Sequence, residues 1–163
     1  LINYLHKIGW FIGLVLLQVL ILNNVHIAGY ATPFLYIYLI LKFESDTPRN
    51  ALMLWAFFLG LAVDVFSDTP GMNAAATVLL AFLRPTFLRL FVQLDTLVPA
   101  IRTMGILPFL KYLVVSVLIH HGLLLTLEFF SFAHIGTLLL RIAASTLLTV
   151  TCIMAVEGIR KKG

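Results

Sequence analysis

The residues of this chain with the means to do chemistry are few: Asp64, Asp68, Asn73, His120, His121, Glu128 and Arg141, within or beside long apolar runs. Neighbouring helix positions point about 100° apart, so only one of His120 and His121 can face a given partner. His121 and Glu128 lie seven residues apart and share a helix face. A proton relay is one use of such residues; hydrogen bonding between helices is the other. The metalloprotease spacing HExxH is absent and no third ligand is placed by sequence, so no metal site is expected. Asp64 and Asp68 stand four apart where a helix ends, and Asp68-Thr69-Pro70-Gly71 has the chemistry of a solvated turn. There is no GxSxG, no phosphate-binding glycine loop and no GxGxxG. These absences predict a protein without catalytic or cofactor-binding residues, not an enzyme.

The elements that must position these residues are apolar helices. Of 163 residues, 61% are hydrophobic and 11% charged, with a mean hydropathy of +1.06. Soluble domains are nearer half apolar and a quarter charged, so the excess implies lipid acting as solvent around the fold. No polar linker divides the chain, which predicts a single transmembrane domain over 1–163. The lone Cys152, in an apolar run, excludes a disulfide framework. Six apolar segments can be marked, at 8–22, 32–43, 51–66, 71–83, 106–130 and 134–156. The first ends in Asn23-Asn24 without a cleavage-like site and reads as a retained span. The chain opens on Leu1 rather than Met, which leaves room for residues before it. The expected fold is all-α: a polytopic bundle of six transmembrane helices, the second and fourth short or broken. The second carries Pro33 near its start, and the fourth meets Pro85.

Charge sets the orientation. The turns at 23–31, 67–70 and 131–133 contain no Lys or Arg. Lys7, Lys42, Arg49, Arg84, Arg89, Arg102, Lys111, Arg160, Lys161 and Lys162 all fall on the other side, ten of the eleven bases. The positive-inside rule makes that side cytoplasmic, with both termini inside. Lys42, Arg49, Arg84, Arg89, Arg102, Arg160, Lys161 and Lys162 are then cytoplasmic anchors. The net charge of +4 reflects membrane topology, and no nucleic-acid partner is expected. In the stretch 84–105, LRPTFLRLFVQL fits either a helix lying in the headgroups or a fourth span running on past Pro85.

The eleventh base, Arg141, lies inside the sixth segment, where an ionisable group needs a partner. Glu128 and Arg141 are at similar distances from the 131–134 turn, and Asp64 is level with Asn73 across the 67–70 turn. Arg141 is therefore expected to bridge Glu128, Asp64 or both, in a buried polar cluster of Asp64, Asn73, His121, Glu128 and Arg141. The cluster reads as a structural lock between helices or as an outward-facing polar pocket. Gln18, Asn23 and Asn24 are candidate interhelical hydrogen bonders, and Gly60, Gly71 and Ala74-Ala75-Ala76 would let the third and fourth helices approach closely.

The order of LQVLILNN (17–24), ATPFLYIYLILKF (31–43), a third span ending GLAVD, the turn, GMNAAA and LAFLRP, then IHHGLLLTLEFFSFAH (119–134) and LLRIAASTLLT (139–149), resembles the bacterial rod shape-determining protein MreD, in its Bacteroidetes-like branch. The resemblance covers nearly the whole chain. Its recurrent motif maps onto Gly60, Leu61, Asp64, Gly71 and Asn73. It implies a non-enzymatic subunit of the bacterial inner membrane, in the cell-elongation machinery for peptidoglycan synthesis. There it would associate with the bitopic protein MreC and through it with MreB, RodA and its transpeptidase. It also implies an architecture similar to the substrate-binding subunits of energy-coupling-factor transporters. A small-solute or vitamin-binding transport subunit is the competing reading, with Glu128, Arg141, Asp64 and His121 lining its pocket. An intramembrane enzyme using the histidine pair is a third. A homodimer stays open.

Overall fold

Among the described residues, long apolar runs with few breakers form five helices of spanning length. They are α1 (Ile2–Leu20), α3 (Arg49–Ser67), α4 (Met72–Phe91), α6 (Ile106–Phe129) and α7 (Ile135–Lys162), with a four-residue α2 (Tyr38–Leu41) and α5 (Ile101–Met104) between them. The structure, a computed structural model, describes residues 2–27, 29–91, 98–129 and 134–162, with the side chains of 2–4, 161 and 162 left aside. No strand occurs among the described residues; only Ile27 and Ala31 form an isolated bridge. Leu54, Phe58, Val65, Leu118, Leu139 and Leu147 are apolar and exposed on the helix flanks. Such a surface suits hydrocarbon and would drive association in water. The five helices and this surface point to a multi-pass membrane protein.

The fourth helix is neither short nor broken. It runs 20 residues through Pro85, so 84–91 continues the span instead of forming a separate surface helix. Residues 92–97 of the stretch beyond it, and the 131–133 turn, lie outside the described residues.

The second segment is broken, as its proline suggests, but it is not a sixth helix of spanning length. Residues 32–43 form no spanning helix, only a 3-10 turn (Leu35–Ile37) and α2. A four-residue helix is about 6 Å long, against about 30 Å of hydrocarbon. Yet the chain does return across the bundle here, antiparallel to α1. Gln18 binds Pro33 and Leu35, the Trp10 and Tyr38 rings meet at a tilt with centroids 6.1 Å apart, and Lys7 pairs with Glu44 at 2.7 Å. Lys7 beside Glu44 holds that carboxyl below the usual range. Tyr36, Ile37, Ile40 and Leu41 are completely or almost completely buried, so this segment is the centre of the core.

The unwound backbone of residues 32–34, inside an apolar bundle, is tolerated only where neighbours satisfy its polar groups. Gln18 Nε2 donates to the Pro33 carbonyl and its Oε1 accepts from Leu35 N–H, both at 2.9 Å. Thr32 N–H and Phe34 N–H donate to Ser145 Oγ and Thr149 Oγ1, both at 3.1 Å. At the other end Arg84, 1% exposed, donates to the Leu41 and Phe43 carbonyls and to Tyr112 Oη (3.1 Å). Arg84 is thus not a headgroup anchor: it caps the free carbonyls that end α2. Lys42 pairs with Glu157 at 3.0 Å, and Glu157 also accepts from Tyr38 O–H and Ile101 N–H. Arg160 donates to Tyr38 Oη at 3.0 Å and lies over Trp10 at 5.1 Å, so the two ends of the chain meet at one end of the bundle. Arg49, Arg89 and Arg102 are exposed; the side chains of Lys161 and Lys162 lie outside the described residues.

Candidate functional site: a buried polar chain and an end cavity

Helix α3 ends where Asp68 adopts a left-handed φ of 58°, and Gly71, at φ 78°, redirects the backbone into α4. A residue with a side chain resists that second conformation, which accounts for glycine there. The turn returns α4 against α3 so closely that a Cβ on Gly60 would lie 2.5 Å from Ala74 Cα and 2.6 Å from the Asn73 carbonyl oxygen. Of the small residues, Gly60, Ala74 and Ala76 are buried within the bundle, whereas Ala75 is exposed.

That approach brings Asp64 to the N-terminus of α4. Its Oδ1 accepts from Thr69 O–H (2.6 Å), Asn73 N–H (3.0 Å) and Asn73 Nδ2 (3.0 Å), and Oδ2 accepts from Ala74 N–H (2.9 Å). A carboxylate on the free N–H groups of a helix start is stabilised by those bonds and by the helix dipole. Asp64 therefore caps the next helix from the last turn of its own. Leu61, half-buried, takes no part.

The bonds run on inward with a defined direction. Asn73 donates from Nδ2 to Asp64, so its Oδ1 is the acceptor, and Tyr36 O–H donates to it at 2.9 Å. With that proton committed, Tyr36 Oη accepts from His120 Nε2–H, also at 2.9 Å. His120 Nδ1 is then the acceptor in the 3.4 Å contact with His121 Nδ1, and His121 Nε2 accepts from Thr149 O–H at 3.1 Å. The chain starts at Phe34 N–H, which cannot give up its proton, and ends on a carboxylate already holding four donors. Such a chain favours one set of tautomers and locks four helices and the central segment together. Replacing Tyr36 with phenylalanine leaves Asn73 Oδ1 and His120 Nε2–H unpaired in the core. A loss of about 2 kcal/mol is expected, read as a lower unfolding temperature in detergent with the mean helicity unchanged.

Arg141 does not bridge Glu128 or Asp64. Among the described residues its guanidinium lies over the Phe129 ring at 4.7 Å, and its buried Nε has no hydrogen-bond partner. Asp64 has its acceptor sites filled by the turn, and Glu128 is exposed. Both Glu128 and Arg141 nonetheless line one cavity of about 230 Å³ at the Asp64 end of the bundle, with Asn23, Thr69, Asn73 and Ser145. Asp64 and His121 do not line it. His121 is wholly buried and faces Phe34 and Thr149 instead. The sequence alone did not point to Tyr36, Thr69, Ser145 and Thr149, nor to Thr77, whose hydroxyl donates to the Asn73 carbonyl at 2.6 Å. Ser145 and Thr149 carry the one usable signal, a hydroxyl pair four apart on one face of an apolar helix. The described residues contain no group of three His, Cys, Asp or Glu placed to hold a metal ion. No family model, curated protein or solved structure matches this chain.

Proposed function

We propose that this chain is a non-enzymatic scaffold of the bacterial cell-elongation machinery. In it the chain would bind an MreC-like bitopic protein and, through that protein, MreB, RodA and its transpeptidase. One observation carries the reading furthest. The side chains able to do chemistry in the core, Asp64, His120 and His121, are occupied with bonding helices to one another. What remains is a rigid, lipid-soluble body, which is what a scaffold needs. The motif resemblance across GLAVD, the turn and GMNAAA supplies the particular machinery. In this reading the basic end, where Lys7, Lys42 and Arg160 gather, faces the cytoplasm with both termini, in the inner membrane.

The test is co-expression of the tagged chain with the MreC-like protein of its source organism, extraction in mild detergent, and light scattering on the eluted material. The two are expected to co-elute in a fixed ratio, and the mass tells a homodimer from a monomer. Recovery of the chain alone, well folded and with no MreC-like protein, would remove the scaffold reading.

A further inference from the structure

The cavity at the Asp64 end is lined by an exposed carboxylate and a half-buried guanidinium. Arg141 and Glu128 both line it, of opposite sign, and they do not pair with each other among the described residues. The Arg141 Nε is buried with no acceptor. Isolated charges beside hydrocarbon are costly, and a nearby opposite charge is the usual remedy. Here the other carboxylate, Asp64, holds four donors of its own, so the remedy does not come from the turn. Ser145 is pinned as an acceptor by Thr32 N–H, so its hydroxyl proton is directed elsewhere. The volume of about 230 Å³ is below the roughly 300–1,000 Å³ of pockets for drug-sized ligands. It suits a molecule of amino-acid size or one lipid headgroup.

We propose that this cavity binds a small zwitterion, its oxyanion on the Arg141 guanidinium and its ammonium on the Glu128 carboxylate. A group with both charges neutralises both walls and gives Arg141 the acceptor it lacks. A lone anion or a lone cation would leave one wall charge uncompensated. Two sources share this chemistry: a free amino acid, and the phosphoethanolamine headgroup of a membrane lipid. The inference goes beyond the scaffold reading and does not depend on it, since a subunit with or without an MreC-like partner would keep the cavity.

The test uses the full chain in nanodiscs of phosphatidylglycerol alone. Glycine, L-alanine, L-glutamate and L-phenylalanine are titrated in by calorimetry, each beside its methyl ester and its N-acetyl form. A second set of discs contains phosphatidylethanolamine, and lipid retained through purification is identified by mass spectrometry. Saturable binding of free amino acids, about tenfold or more weaker for the ester and the N-acetyl form, establishes the soluble source. Selective retention of phosphatidylethanolamine over phosphatidylglycerol establishes the lipid source. Either signal must fall about tenfold or more in both Arg141→Gln and Glu128→Gln. Those variants must keep the unfolding temperature of the parent without ligand. Arg141→Lys, which keeps the charge and loses the planar fork, should retain part of the binding. Binding that survives Glu128→Gln would mean a simple anion site and would overturn the proposal, as would the absence of both signals.

Discussion

Gly60→Ala is expected to destabilise the protein by about 3 kcal/mol, the upper end of ordinary overpacking penalties. The new methyl carbon would lie 2.5–2.6 Å from three backbone atoms of residues 73 and 74, where real contacts never go below 3.0 Å. A flexible side chain could swing aside, but helix backbone cannot. The α3–α4 hairpin has to open, and it is the hairpin with the most extensive contact in the bundle. Opening also pulls Asn73 N–H and Ala74 N–H away from Asp64, so packing and capping are lost together. Thermal unfolding in one detergent measures the effect, and Gly122→Ala serves as the control. Gly122 lies in α6 with nothing within 4 Å of its would-be Cβ. There alanine should be neutral or stabilising by up to about 1 kcal/mol through helix propensity alone. Equal effects at the two positions would refute the close-approach account.

Asp64→Ala is the second large effect, again about 3 kcal/mol. It strips the acceptor from two backbone N–H groups and two side-chain donors. A buried unpaired donor costs about 1–3 kcal/mol. Water from the adjacent cavity, lined by Thr69 and Asn73, can reach part of the set and lowers the sum. Asp64→Asn should fall between parent and alanine variant. Its carbonyl can replace Oδ1, but its amide would point a donor at Ala74 N–H in place of Oδ2. Loss of the cap also frees Asn73, so the Tyr36–His120 contact loosens at a distance. Ultraviolet difference absorption of Tyr36 against a Tyr36→Phe background reads that directly. A variant with an unchanged melting temperature would show that the α4 N-terminus is capped by something other than Asp64.

Several features of the site were legible in the sequence for local reasons. A helix that ends just before Asp68 and restarts after Gly71 is marked by Asp-Thr-Pro-Gly, and the capping acid Asp64 and the helix start it serves lie within ten residues. Gly60 and the alanines announce a close hairpin because small size is itself the signal. Other features were not legible. Arg84 sits among apolar residues next to a proline, a pattern equally suited to a headgroup anchor. Only its burial against the carbonyls of Leu41 and Phe43 gives it an inward role. Arg141 and Glu128 were level across a hairpin, but register fixes depth and not the angle around each helix. The two line one cavity without meeting.

By itself the sequence determined the solvent of this protein, the apolar runs and the end of the bundle where its bases gather. Those are sums over local composition and need no tertiary partner. The path of residues 32–43 was decided by tertiary structure alone. A twelve-residue apolar run with a proline reads as a short or broken helix, because helical hydrogen bonds are the default way to satisfy backbone in lipid. Its first residues, 32–34, are unwound because Ser145 and Thr149, 113 and 115 residues further along, and Gln18 on α1 supply those bonds from outside the segment. Backbone satisfaction can come from any part of the chain that folds into reach, and no local window of sequence contains it.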